Sequence, residues 1–216
     1  MKTLFGLLAL CAGFAQAADM TVLRYVDQDP GDPPYSTRIL VTPEFMRMDS
    51  GEDEGDFILL DRRRRVVINV MHENRLAMVF APGKLPPKPA GWTPRLEAGK
   101  AERGGRHFTL TVKGVVCSEG VAAKHAMDAA RAMTELKAIL AATQYRVWKD
   151  SPPGMQHDCD LANQVWNSGD TLTLGLPLDE REFTGRSRTF ESEIRQPLNP
   201  ELFRVPDGIT TIDAPS

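Results

Sequence analysis

Short apolar runs separated by short polar turns fill the chain from Met20 to Phe80. Ser36 to Thr42 is rich in β-branched and apolar residues, and Glu44 to Asp49 continues it after Pro43. Beyond the turn Ser50-Gly51-Glu52-Asp53-Glu54-Gly55 comes Asp56-Phe57-Ile58-Leu59-Leu60-Asp61. The turns Arg62-Arg63-Arg64-Arg65 and His72-Glu73-Asn74-Arg75 bracket Val66 to Met71, and Leu76 to Phe80 follows. Strands of this length joined by short polar turns predict an antiparallel meander. Several runs are apolar at successive positions, so both faces of that sheet need a cover.

Residues 81–104 interrupt the pattern. Pro82, Pro86, Pro87, Pro89 and Pro94, with Gly83, Gly91 and Gly99, predict a long loop outside the sheet, with Leu85 and Trp92 available to pin it to a surface. Alternation resumes from His107 to Val112. From 120 to 148 the period changes. Ala122, Ala126, Ala129, Met133, Leu136 and Leu140 form one stripe of an amphipathic helix, which Pro152-Pro153-Gly154 ends. A shorter helix is expected from Asp158, as N-cap, to Gly169. Leu172, Leu174, Leu176 and Leu178 then alternate with other residues, as do Phe190, Ser192 and Ile194, so strands are expected again. Leu202-Phe203-Arg204-Val205-Pro206 reads as an apolar latch. Many strands, two helices and more strands predict an α+β domain: a curved antiparallel sheet of roughly eight to ten strands (an unclosed β-barrel) packed around one long and one short helix.

The amino terminus adds a compartment. Met1-Lys2-Thr3, an apolar run from Leu4 to Phe14 and Ala15-Gln16-Ala17-Ala18 are the three parts of a cleavable secretory signal over 1–17. The run is too short to span a bilayer, which takes about 20 residues, and no later run approaches that length. Leu10 before Cys11, with little apolar sequence upstream, argues against a lipid-modified cysteine. Residues 18–216 are then expected to be one periplasmic domain, not membrane-spanning and large enough for a core of its own. Of the three cysteines, Cys117 and Cys159 remain after cleavage, and in an oxidising compartment they predict one disulfide.

The formal charge of −3 on a mixed surface leaves no footprint for nucleic acid. The four consecutive arginines read as a solvated hairpin turn. Gly-x-Ser-x-Gly and Gly-rich phosphate loops are both missing, and no histidine lies in a segment with a convincing nucleophile nearby. The acidic turn from Asp49 to Asp56 fails the calcium-loop spacing, with Leu60 where a bidentate Glu is needed. These patterns predict a protein that is not an enzyme and has no cofactor.

Three segments carry a resemblance. They are Arg47-Met48-Asp49 with the acidic turn, Phe57 to Asp61, the basic turn and the next strand; Gly175-Leu176-Pro177; and Leu202 to Gly208. Through them the chain resembles, over most of 20–210, the periplasmic lipoprotein-carrier-like (LolA-like) superfamily, and more narrowly uncharacterised periplasmic families of that type. The resemblance implies an unclosed β-barrel with helices in its mouth and a concave apolar cavity able to shelter an acyl chain. The disulfide pair and the proline-rich loop depart from the carriers.

The function expected on these grounds is non-enzymatic binding of a hydrophobic ligand, a lipid or a lipoprotein acyl chain. The inward-phase residues are Met46, Met48, Phe108, Leu110, Leu172 and Leu174, with Met133 and Leu136 from the helix. Two other readings stay open. One is a cell-envelope protein-interaction module with a filled core. The other is a soft-metal site for copper or zinc, built from Met155, His157 and Cys159 with Cys117 and His125, which requires free thiols.

Overall fold

The computed structural model describes residues 19–101 and 104–215. The expected signal sequence lies outside the described residues. Six strands form the expected meander: β1 (Asp19–Gln28), β2 (Tyr35–Val41), β3 (Phe45–Asp49), β4 (Phe57–Asp61), β5 (Val66–Met71) and β6 (Leu76–Phe80). Next come β7 (Pro94–Ala98), β8 (Arg106–Val112) and β9 (Val115–Ala123), then the helices α1 (Met127–Asp150) and α2 (Asp158–Leu161). The chain closes with β10 (Leu176–Glu182), β11 (Ser187–Pro197) and β12 (Thr210–Asp213).

All twelve strands belong to one sheet, in the order β12-β6-β5-β4-β3-β2-β1-β11-β10-β9-β8-β7. Its ends do not meet, so the fold is α+β with a curved open sheet. β11 joins the two halves by pairing with β1 on one side and β10 on the other.

The count exceeds the expected eight to ten because two segments without a strand pattern join the edges. Pro94 stands first in β7, an edge strand, where its missing N–H removes no ladder bond. The proline-rich stretch therefore contributes a strand, while Leu85 and Trp92 pin its remainder against Ala141, Leu161 and Val165, with Trp92 edge-on to Trp166. β12 pairs with β6 in parallel, the one exception among the described residues to an otherwise antiparallel sheet.

Two boundaries also differ from the expected ones. The helix starts at Met127 rather than near 120, because Val115–Ala123 continues the β8–β9 hairpin and Ala122 fills a sheet position. Small alanines satisfy either period, which is why the stripe read too far. Thr171–Leu174 is a 3-10 turn, not a strand, so Leu172 and Leu174 leave the alternation that begins at Leu176. Gly175 ends that turn with φ 116°, and a Cβ there would overlap the Ala123 carbonyl oxygen. Only glycine fits that crossing. The short helix is four residues long and continues as a π turn over Ala162–Trp166.

Each face of the meander has its cover. On the concave side Ala129, Ala132, Met133, Leu136 and Ile139 of α1 pack against Leu23, Tyr25, Ile39, Met46 and Leu60. On the convex side the latch lays Leu202 and Phe203 over Leu40, Phe57, Leu59 and Val70. The Phe203 ring stacks on Phe45 at 5.9 Å. Arg47, 2 % exposed, locks this layer. Its guanidinium donates to Asp49 Oδ2 at 2.6 Å, to the Leu202 carbonyl at 3.0 Å and to the Asp53 carbonyl at 2.8 Å, and it lies 3.9 Å over the Phe57 ring.

Candidate functional site

A cavity of about 360 Å³ lies between α1 and the sheet, reaching from β2, β3 and β4 across β1 to β11 and β10. Its apolar wall is Ile39, Met48 and Ile58 from the sheet, Met133, Leu136 and Leu140 from α1, and Leu172 and Leu176. Ile39, Met48 and Ile58 stand on adjacent strands in cross-strand register, because Ile39 pairs with Met48 and Met48 with Ile58. This puts three branched or flexible apolar side chains in one row facing the helix.

The other end is charged. Tyr25, Asp27 and Arg188 stand on β1 and β11, Glu180 and Glu182 on β10, Arg186 before β11, and Lys137 on α1. Asp27 is 1 % exposed and fully engaged. Arg188 Nε and Nη2 donate to its two oxygens at 2.6 and 2.7 Å, and the Thr37 hydroxyl donates at 2.6 Å. Burial pushes the Asp27 carboxyl up, but the hydrogen bonds and charge of Arg188 and the Thr37 hydroxyl outweigh it, so it lies below the usual carboxylate range. The Tyr25 hydroxyl donates to the Pro177 carbonyl at 3.1 Å, and burial pushes its pKa well above the ordinary phenol value. Glu180 is different: burial pushes it up, Lys137 only partly offsets that, and Glu182 adds to the rise. Behind the two glutamates lies a recess of about 10 Å³ with Ser118 and Asn163 in its wall. It has room for about one water molecule.

Four of the eight expected ligand residues reach this cavity: Met48, Met133, Leu136 and Leu172. Met46 is fully buried in the same core cluster and is not part of the lining. Phe108 and Leu110 stand on β8 in the other half of the sheet, Leu110 packing beside the disulfide. Leu174 lies on the 3-10 turn, outside the lining. Sequence reasoning missed Ile39, Ile58 and Leu140. The two isoleucines were legible, since Ile39 alternates in phase with Val41 and Ile58 with Leu60. The charged end was not, because its members come from four separate segments.

A second depression of about 550 Å³ lies between α1 and the arginine turn, lined by Pro43, Leu60, Arg62, Thr134, Ala138 and Ile139 among others. Arg62 is not solvated as expected. It reaches across to α1, bonding Glu135 through Nε at 2.8 Å and Nη2 at 3.0 Å, and Asp128 through Nη1 at 3.1 Å.

Cys117 and Cys159 form a disulfide that ties β9 to α2, with S–S 2.05 Å. Their thiolates are thus spent, and the histidines of the soft-metal reading point elsewhere. His125 Nδ1 lies 2.8 Å from Glu193 Oε2, and His157 packs edge-on against Phe183. Among the described residues no three His, Cys, Asp or Glu side chains gather as a metal site. Asp49, a candidate calcium ligand by type, is held instead by Arg38, Arg47 and the Gly51 N–H.

No protein-family model and no curated protein matches the sequence. Several solved structures match it, two of them as follows. The structure of PNGF-II is 11% identical with a TM-score of 0.40; the match covers 91% of this chain but only 32% of that one, so this chain spans about a third of that protein's length. A LolA superfamily protein from Nitrosomonas europaea is 8% identical with a TM-score of 0.34, over 89% of this chain and 92% of that one. TM-scores of this size carry neither a shared fold nor a shared activity. The function has to come from the cavity itself.

Proposed function

We propose that the protein is an exported, non-enzymatic periplasmic domain that binds the apolar chain of a lipid or acylated molecule between α1 and the concave sheet face. The observation that carries this reading is the 360 Å³ cavity with an apolar wall at one end and charged groups at the other. Its volume lies within the roughly 300–1,000 Å³ usual for small-molecule sites. Methionines at 48 and 133 give that wall flexible side chains able to repack around a chain of varying shape. The disulfide supports folding in an oxidising compartment. Among the described residues no helix is long and apolar enough to cross a membrane.

The test is direct. Protein purified from the periplasm is examined by native mass spectrometry, then extracted with organic solvent for lipid analysis. Co-purifying lipid, or titration with a fluorescent fatty acyl probe to a one-to-one endpoint, is the expected result. Leu140 is half-buried on the cavity rim, so Leu140→Trp fills space without crowding the packed core. That variant should remain folded and lose at least about tenfold in probe affinity, roughly 1.4 kcal/mol. Unchanged probe binding in a folded Leu140→Trp protein would sink the cavity reading.

A further inference from the structure

The charged end of the cavity is lined by three cations and three anions, but one of the cations, Arg186, is drawn off by Asp29 outside the lining. Of these six groups most are spoken for. Asp27 and Arg188 neutralise each other through two short hydrogen bonds. Arg186 stands 3.3 Å from Asp29 Oδ1 and donates to the Tyr35 hydroxyl. Lys137 Nζ donates to the Asn163 carbonyl at 3.3 Å. Glu180 and Glu182, by contrast, accept no side-chain hydrogen bond and pair with no cation within 4 Å among the described residues. Lys137 can offset one of them electrostatically, which leaves one carboxylate without a counter-charge.

Both glutamates stand on β10, two residues apart, and both line the cavity. Glu180 is half-buried in the wall, where lowered polarity makes an unpaired carboxylate costly. Burial accordingly holds its proton more tightly than an ordinary glutamate does. The spare hydrogen-bonding capacity at this end is therefore mainly acceptor capacity, and the spare charge is negative. An anionic head would meet two carboxylates and have to draw Arg186 or Arg188 from existing partners. A head bearing N–H donors and a positive charge would meet two free acceptors.

We infer that the molecule bound here carries an ammonium or similar N–H-rich cationic head, held by Glu180 and Glu182 while its alkyl chain lies beneath α1. This rests on the cavity-binding reading above. The ammonium supplies the missing counter-charge, and each charge-assisted hydrogen bond adds affinity that a neutral head of the same length does not have.

The test compares three probes sharing one alkyl chain: dodecylammonium, laurate and uncharged dodecyl maltoside below its micellar concentration. Each is titrated calorimetrically into the native protein at neutral pH and low salt. Dodecylammonium is expected to bind at least about tenfold more tightly than laurate, the size of one charge-assisted hydrogen bond. Glu180→Gln and Glu182→Gln keep shape, and each is expected to lose about tenfold for dodecylammonium while laurate binds no worse. A thermal melt of each variant accompanies the titration, and the ratio between probes in the native protein stands even if one variant does not fold. Laurate binding as tightly as dodecylammonium overturns the head-group assignment and leaves the cavity reading intact. Folded variants that both keep full dodecylammonium affinity overturn it too. If none of the three probes binds, both readings fall.

Discussion

Replacing Arg47 by methionine should loosen the whole convex layer. The guanidinium is 2 % exposed and makes three strong contacts: one to the Asp49 carboxylate and two to the Leu202 and Asp53 carbonyls. Methionine keeps much of the volume and the contact with Phe57, so little of the loss is cavity. What remains is two carbonyls deprived of their donor, and Asp49 left with Arg38 and the Gly51 N–H. Removing one member of a buried pair costs about 3–5 kcal/mol, and the surviving Arg38 bridge places the expected loss near the lower end, about 3 kcal/mol. The pH dependence has a definite sign. Burial pushes the Asp49 carboxyl up, but hydrogen bonds from Arg38 and Arg47 and the Gly51 N–H bring it below its ordinary value. A depressed folded-state value gives stability that is present above the unfolded value, near 3.9, and lost as pH falls through the folded one. Urea unfolding of both proteins at pH 7 and at several acid pH values measures this. The Arg47→Met protein should show a lower midpoint at neutral pH and a gap that narrows in acid. A loss under about 1 kcal/mol, or a gap constant with pH, would refute the assignment of Arg47 as the lock on the latch.

Two further perturbations probe the remaining features. Cys117→Ala with Cys159→Ala opens a loop of 43 residues counted inclusively, for which the chain-entropy model gives about 4 kcal/mol; urea titration of the oxidised and alanine forms should show a loss within about 2–5 kcal/mol. Glu180→Gln should raise the melting temperature at neutral pH, because a carboxyl whose folded value is raised by burial contributes a penalty that grows as pH rises from the unfolded value, near 4.3, through the folded one. Below that unfolded value the two proteins should melt alike, and a melting difference that persists there would contradict the origin assigned to it.

Much of the architecture was legible because two periods, two and about three and a half, ran cleanly through the chain. The meander from β2 to β6, the long helix and the apolar latch follow from where greasy residues recur. The failures share a cause. Around Ala122 and Ala123 either period fits, and only the pairing of Ala122 with Arg106 and Pro177 settles them as sheet. At 171–174 alternating leucines mimic a strand, yet Gly175 forces a crossing that ends the turn first. β7 and β12 are too short, or too proline-rich, to signal themselves locally; each exists because a neighbouring strand offers an edge. The cavity was half legible. Its methionines and leucines sat in the right phase, but Glu180, Asp27, Lys137 and Arg188 are distant in sequence and meet only once β11 lies between β1 and β10.

That central place of β11 sets the order in which the molecule can be assembled. β1 begins the described chain, yet its partner on one side is β11, with Asp19 opposite Pro197, and the outer face of its own meander is covered by residues 198–209. A nascent chain that has made β1 to β6 thus has an unpaired flank and a bare greasy face until residues 187–209 appear. Pairings this remote in sequence close slowly. The native form of the first half therefore waits for the second, and until then it presents the open flank and greasy face on which a chaperone or another copy of the chain can settle.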